Sequence, residues 1–389
     1  NTAVGSEAGV GLTTGVSCVF VGAEAGKAAQ NVDSLVLIGD NAGKTINHSN
    51  SDGTIAIGRD AATALISGDQ SIYIGFEAGK ENTTGGNNTI IGHKAMNETG
   101  AVPASEHNTF IGVDSGGGDW VTAACDANVG VGNYTLDGAM NGATFNTAIG
   151  YQALTGLITG DRNTVLGSQS GIVLSSGSYN TILGGGAGKV TTDVDNAVII
   201  GYGACADGDV SADGTVAIGY DSLKALTSGA GNTAIGYLAG DNLTDGAHNT
   251  IVGYQAADSV LSGTSYNTVM GSNAMGGAST SAGSDYNVVI GYNAMSGATR
   301  NNADHNVAIG VAALESLTTG DDNTVVGSNA GYNVAGGERN TFIGRSAGNA
   351  NTSGNYNTVI GYQALVENEG GHANVAIGYL AGVVVSNFA

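Results

Sequence analysis

Apolar and polar residues recur along this chain in a single phase. Aligned on one glycine, the pattern appears 22 times, from Gly5 and Gly22 through Gly150, Gly167, Gly184, Gly236, Gly253 and Gly361 to Gly378. Thirteen of the 21 intervals are 17 residues and the rest are 18 to 20. A typical copy reads Asn146-Thr147-Ala148-Ile149-Gly150-Tyr151-Gln152-Ala153-Leu154. With the glycine as position zero, position −1 is apolar in all 22 copies, and position −3 is β-branched in all 22, twelve of them Thr. Position −2 is apolar or glycine throughout, and includes Phe20, Phe110 and Phe342. Three such residues in a row predict a short strand buried on both faces. The invariant glycine after it predicts a bend or a close backbone approach.

The remaining columns extend the coil. Position +3 is Ala in 18 copies, so it should point inward where little room exists. Its neighbour at +2 is usually polar (Glu7, Glu24, Glu77, Gln152, Gln255) and should point out, which predicts a second strand with period-two alternation. Leucines at +7 (Leu12, Leu65, Leu157, Leu174, Leu226, Leu243, Leu317) belong to that second segment. Position −4 is Asn in 16 copies, among them Asn146, Asn163, Asn180, Asn232 and Asn249, the composition of a side-chain amide ladder at one corner. A repeat this short cannot hold two helices or a propeller blade, but it can hold one solenoid coil. The expected fold is an all-β parallel β-solenoid, a β-roll of about 22 coils spanning residues 1–389 as a single repeat array. At about 4.8 Å per rung the rod would be roughly 105 Å long. Longer copies place their extra residues at 97–105 (with Pro103), 116–127 (with Trp120), 276–285 and 296–304, which predicts loops on one edge.

If −3 and −1 face the solenoid interior, −2 faces away from it. An apolar column along the whole rod would exceed the patch a monomer exposes, so burial against identical chains is expected, with a homotrimer as the natural closure. The first residues, Asn1-Thr2-Ala3-Val4-Gly5, already form the repeat, and the last copy runs on through Tyr379-Leu380-Ala381-Gly382 into the apolar Val383-Val384-Val385. The expectation is a segment of a longer fibre, or rods that stack end to end.

Composition narrows the function classes. Eleven Lys+Arg against 33 Asp+Glu give a net charge of −22, which leaves no basic stripe for nucleic acid. Glycine contributes 67 residues and proline one, without Gly-X-Y spacing, so the chain is not collagen. At 41% hydrophobic residues it should fold rather than stay disordered. No apolar run approaches the roughly 20 residues of a membrane-spanning helix, so no membrane insertion is expected in this segment. Cys18, Cys125 and Cys205 are odd in number and widely spaced, so they suggest neither a disulfide framework nor a zinc site.

The columns around Asn-Thr-Ala-Ile-Gly-Tyr-Gln-Ala-Leu resemble two groups of surface proteins. One is the head of trimeric autotransporter adhesins, and the other is phage tail fibres whose shafts carry this repeat, often ahead of a self-cleaving C-terminal chaperone. The resemblance covers essentially the whole chain, because five columns match at once. It implies a homotrimeric β-roll on a virion or cell exterior, used for attachment to a host-surface glycan or protein. Two features depart from those patterns. Autotransporter heads use shorter coils, and neither their neck and anchor nor the chaperone is present here. The expected role is therefore a non-enzymatic structural and adhesive shaft of an extracellular attachment fibre. A bacterial surface adhesin, a self-assembling filament and a glycan-binding solenoid are the alternatives.

No catalytic constellation is visible. The six histidines lack HExxH or other close metal spacing, although His107, His248 and His305 share the corner before the strand Asn. No cofactor is expected. Tyr202, Tyr220, Tyr237 and Tyr254 occupy +1 on four consecutive coils, and Phe145, Tyr179, Tyr266, Tyr286 and Tyr356 occupy −5. With Trp120, the tyrosines are candidate stacking surfaces for sugar rings, and a purely structural ladder is the favoured alternative. The acidic turns at Asp193 with Asp195, Asp207 with Asp209, and Asp321-Asp322 are candidate Ca2+ sites. They lack the calcium-binding nonapeptide motif, which favours solvated acidic loops.

Overall fold

The computed structural model describes residues 1–100, 104–259, 262–277, 283–297 and 300–382. Those residues are all-β apart from one 3-10 turn, Ser49–Ser51. The chain forms two compact units, Asn1–Asn196 and Ala197–Ala389, and each is a parallel β-solenoid. The first carries eleven three-residue strands, from β1 (Thr2–Val4) to β11 (Thr181–Leu183). The second carries eleven more, from β12 (Val198–Ile200) to β22 (Val375–Ile377). Every strand lies at positions −3 to −1 of one repeat. Within each unit consecutive strands pair in parallel with the columns in register: Val165 lies between Ala148 and Ile182, and Ala234 between Ala217 and Ile251.

The glycine column has two independent causes. All 22 glycines take φ between +130° and +147°, a region closed to residues with a Cβ. A Cβ on Gly236 would also lie 2.2 Å from the carbonyl oxygen of Gly253 on the next coil, and one on Gly150 would lie 2.6 Å from that of Gly167. The inward Ala column is as expected: Ala25, Ala42, Ala153, Ala239 and Ala364 are fully buried.

The strand faces are the reverse of the expected ones. Position −2 points into the solenoid: Phe20, Leu37, Tyr73, Phe110, Val165, Ile182 and Phe342 are all buried. Positions −3 and −1 point outward and are half-buried or exposed, as at Thr164 and Leu166. The cause is the Asn at −4. By strand alternation −4 and −2 share a side, and the buried Asn amides fix that side as the interior. Size compensation inside the coil agrees. Each aromatic residue at −2 faces a glycine at +4, where a Cβ on Gly79 would lie 2.3 Å from the Tyr73 ring and one on Gly348 2.9 Å from Phe342. Conversely, Gly130 at −2 is matched by Leu136 at +4, and that leucine is fully buried.

Among the described residues the second strand does not form. After the glycine, the residues at +2 and +4 adopt left-handed backbone in every copy, for example Gln152 (φ 57°) and Leu154 (φ 52°). Alternating left-handed residues curl the chain and prevent an extended segment. That requirement explains glycine at +4 in half the copies. Hydrogen bonding still runs from coil to coil through this turn: Glu24 N–H donates to Ser6 O at 2.8 Å and Gly26 N–H to Ala42 O at 2.9 Å. The +7 leucines (Leu65, Leu157, Leu174, Leu226) are fully buried. Among the lengthened coils, the loop at 116–127 tucks Trp120 inside, whereas 101–103, 278–282 and 298–299 lie outside the described residues, as does the Val383-Val384-Val385 tail.

Candidate functional site

The outward strand face runs along the whole series of strands in each unit. Its two central columns hold Thr, Val or Ile at −3 and Ile, Val, Leu or Met at −1, with no charged residue in either. Ile149, Leu166, Ile235, Met270 and Ile360 at −1 are each more than a third exposed. The columns at −5 and +1 border this face, and their aromatic residues form ladders.

At +1, Tyr202, Tyr220, Tyr237 and Tyr254 stack in sequence with centroid separations of 5.7, 5.2 and 5.2 Å and interplanar angles of 15° or less. At −5, His248, Tyr266, Tyr286 and His305 stack at 5.1, 5.0 and 5.0 Å. Arginines enter the same stacks: Arg162 lies 5.2 Å from the Phe145 ring and 5.4 Å from Tyr179, and Arg59 lies 4.4 Å over Phe76. Rings stacked in this way turn their faces to one another and leave edges and hydroxyls to solvent. A sugar stacks on a ring face. The interior rings of each ladder therefore offer it no platform, and only the end rings, such as Tyr202 and Tyr254, keep one face without a ladder neighbour. Trp120 is corrected as well: it is 4% exposed and packs edge-on against Phe110 at 6.0 Å, so it belongs to the core.

The Asn ladder is present at the expected corner. Asn163 donates through Nδ2 to Asn146 Oδ1 (3.0 Å) and to Gly177 O (2.8 Å), while its backbone N–H donates to the same Asn146 Oδ1 (3.0 Å). Asn249 repeats the pattern on Asn232, and Asn180 on Asn163. Because these amides are buried, each bond spares a desolvated polar group.

A second ladder at −6 accounts for several acidic turns. Ser178 N–H donates to Asp195 Oδ1 at 2.6 Å, Asp304 N–H to Asp321 Oδ1 at 2.8 Å and Asp285 N–H to Asp304 Oδ1 at 2.8 Å. These carboxylates fasten one coil to the preceding one. Asp207 lies 3.5 Å from Lys224 Nζ. Among the described residues, no three His, Cys, Asp or Glu side chains are grouped to hold a metal ion.

The remaining titratable groups are set by burial. All three cysteines are buried and free, and burial pushes the Cys125 thiol up to about 11 and Cys205 to about 12, which disfavours the thiolate at those two. Burial, reinforced by Asp114 and Glu98, raises Asp137 to about 6. Burial and then Asp258 raise Asp241 to about 6.

Arg300 gave no signal in the sequence. Its guanidinium is fully buried and donates to Met295 O (2.5 Å), Met275 O (2.7 Å) and Gly277 O (2.7 Å), tying two lengthened coils together. A single arginine outside every repeat column cannot be told from a solvated loop charge by spacing. No protein-family model and no curated protein matches this chain.

Proposed function

We propose that the chain is a non-enzymatic structural and adhesive shaft of an extracellular, homotrimeric attachment fibre, of the phage tail-fibre type, exposed on a virion or cell surface. One observation carries the reading: the outward −3 and −1 columns are free of charge on every coil while their side chains remain partly exposed. An uncharged face running along each unit of a chain of net charge −22 supports a surface kept for a partner. The strict column identity suits identical chains running in the same direction. The coil-to-coil Asn and Asp ladders suit a mechanical role, since each adds stiffness without any reactive group. The same face would serve a bacterial surface adhesin. A membrane anchor in the full-length gene would assign it there, and a self-cleaving chaperone would assign it to the tail fibre.

Sedimentation at micromolar concentration tests the assembly. The expected species lies near three times 38.2 kDa, or is a longer assembly. Ile149→Lys with Leu166→Lys, two outward −1 positions, should weaken it, so that it dissociates at a higher protein concentration than wild type, while leaving the far-UV spectrum unchanged. A folded wild-type monomer at that concentration would overturn the proposal.

A further inference from the structure

We propose that the Tyr202–Tyr220–Tyr237–Tyr254 stack is an oxidative cross-linking site, at which a one-electron oxidant joins neighbouring coils of the same chain through dityrosine bonds. The inference is independent of the fibre reading, because it rests on the coil geometry of the second unit. Four phenols stand one above another at 5.2–5.7 Å with nearly parallel rings. The four residues are 66%, 45%, 43% and 53% exposed in chain order, so an oxidant and water that can take a proton reach the stack. The parallel register fixes which rings meet: each ring has a ladder neighbour only one coil above or below, at offsets of 18, 17 and 17 residues.

The chemistry balances with hydrogen peroxide as oxidant, delivered through a haem peroxidase. Two phenols each lose one electron and one proton to give phenoxyl radicals. The radicals couple at ring carbons ortho to the oxygens and form one C–C bond, and the displaced ortho hydrogens restore both hydroxyls by tautomerisation. The two electrons and two protons convert one peroxide into two waters. Tyr266 and Tyr286, at 5.0 Å and 2° apart, form a second such pair. Tyr292 is the built-in control. It is 53% exposed, but the adjacent coils carry Ser272 and Val311 at the same +1 position.

The test oxidises the full chain, as an equal mixture of light and 15N-labelled protein, with peroxidase and peroxide, and maps cross-linked peptides by mass spectrometry. The expected bonds join Tyr202 to Tyr220, Tyr220 to Tyr237 and Tyr237 to Tyr254 within uniformly light or uniformly heavy chains, with Tyr292 at least ten-fold less cross-linked. Tyr220→Phe with Tyr254→Phe keeps the stack of rings but leaves Tyr202 and Tyr237 two coils apart, and should abolish the ladder bonds without altering the circular dichroism spectrum. Tyr292 cross-linked as often as the ladder, bonds mainly between light and heavy chains, or undiminished ladder dityrosine in the double variant would each overturn the proposal.

Discussion

Asn340→Ala removes one rung of the amide ladder, and the structure fixes what is lost. Asn340 Oδ1 accepts the backbone N–H of Asn357 at 3.0 Å and its Nδ2 at 3.0 Å, and Asn340 Nδ2 donates to Gly354 O at 2.8 Å. In the alanine variant Asn357 Nδ2 keeps its bond to Gly371 O (2.8 Å), and Asn323 Oδ1 keeps the Asn340 N–H (3.0 Å). The Asn357 N–H and the Gly354 carbonyl lose these partners. Asn340 and Asn357 are each 1% exposed, so water cannot replace the lost partners without opening the coil. At about 1–3 kcal/mol for each of the two buried polar groups left unsatisfied, the expected destabilisation is about 2–6 kcal/mol. Asn31→Ala is the comparison, because Asn31 is exposed and accepts only from the Thr13 and Thr14 hydroxyls. It should cost less than about 0.5 kcal/mol. Repeat arrays unfold locally, so the decisive assay is residue-resolved amide exchange beside urea denaturation. Exchange at Asn357 should accelerate sharply, with coils two or more removed unaffected. Unchanged protection at Asn357, or a loss of stability no larger than that of Asn31→Ala, would refute the ladder's energetic role.

Other perturbations address the remaining columns. Gly236→Val should unfold its coil, since it adds a Cβ at φ +142° within 2.2 Å of a carbonyl, whereas Thr250→Val, on an outward strand position with ordinary backbone, should melt within a degree or two of wild type. Gln152 is unsuitable as the neutral comparison, because its backbone is left-handed (φ 57°) and a β-branched residue there is itself strained. Gly79→Ala should destabilise by about 1–3 kcal/mol through its clash with Tyr73, and Tyr73→Ala added to it should cost less than the sum of the two changes, as thermal melts of the three variants would report. Asp137 has its folded pKa raised to about 6, above the unfolded value near 3.9, so its stabilising contribution is full below the unfolded value and is lost as pH rises through 6. Asp137→Asn should therefore raise the melting temperature at pH 7.5 and change little at pH 4. An equal shift at both would show that burial does not set its titration.

Most of the architecture was legible because a solenoid writes each structural demand 22 times. The glycine column, the inward alanine and the Asn corner each followed from one residue type repeated at one phase. The facing of the strand was not read correctly, since β-branched residues at −3 and −1 suit either side of a sheet. The signal that decides it lay in pairs of columns: Phe20, Tyr73, Phe110 and Phe342 at −2 each have glycine at +4, and Gly130 has Leu136. Residues that trade volume must share a cavity. The left-handed turn was half legible, since glycine at +4 hints at positive φ, but Leu154, Met275 and Cys205 adopt it too under the constraint of packed neighbours. The tyrosine column was visible as spacing, but its ring orientation was not. Stacking leaves the interior rings of that column no free face.

The inverted strand also changes what an interface between chains could be. Position −2 ranges in size from Gly130 to Tyr73, and an outward column so uneven would present knobs and gaps with no common period. Buried, it is accommodated coil by coil through +4. The columns that do face outward are nearly uniform, with only Thr, Val or Ile at −3 and only Ile, Val, Leu or Met at −1. Chains packed in parallel on such a face meet equivalent side chains at every rung, so the contact made once is repeated along the axis. At about 25 cal/mol per Å² of apolar surface removed from water, a rung burying a few tens of Å² contributes only about 1 kcal/mol. If the chains pack as proposed, eleven rungs in each unit would multiply that into a stable assembly. Charge at two adjacent −1 positions would interrupt the repetition locally and, by the same arithmetic, cost more than the two rungs it occupies, because each buried lysine would also carry its own desolvation.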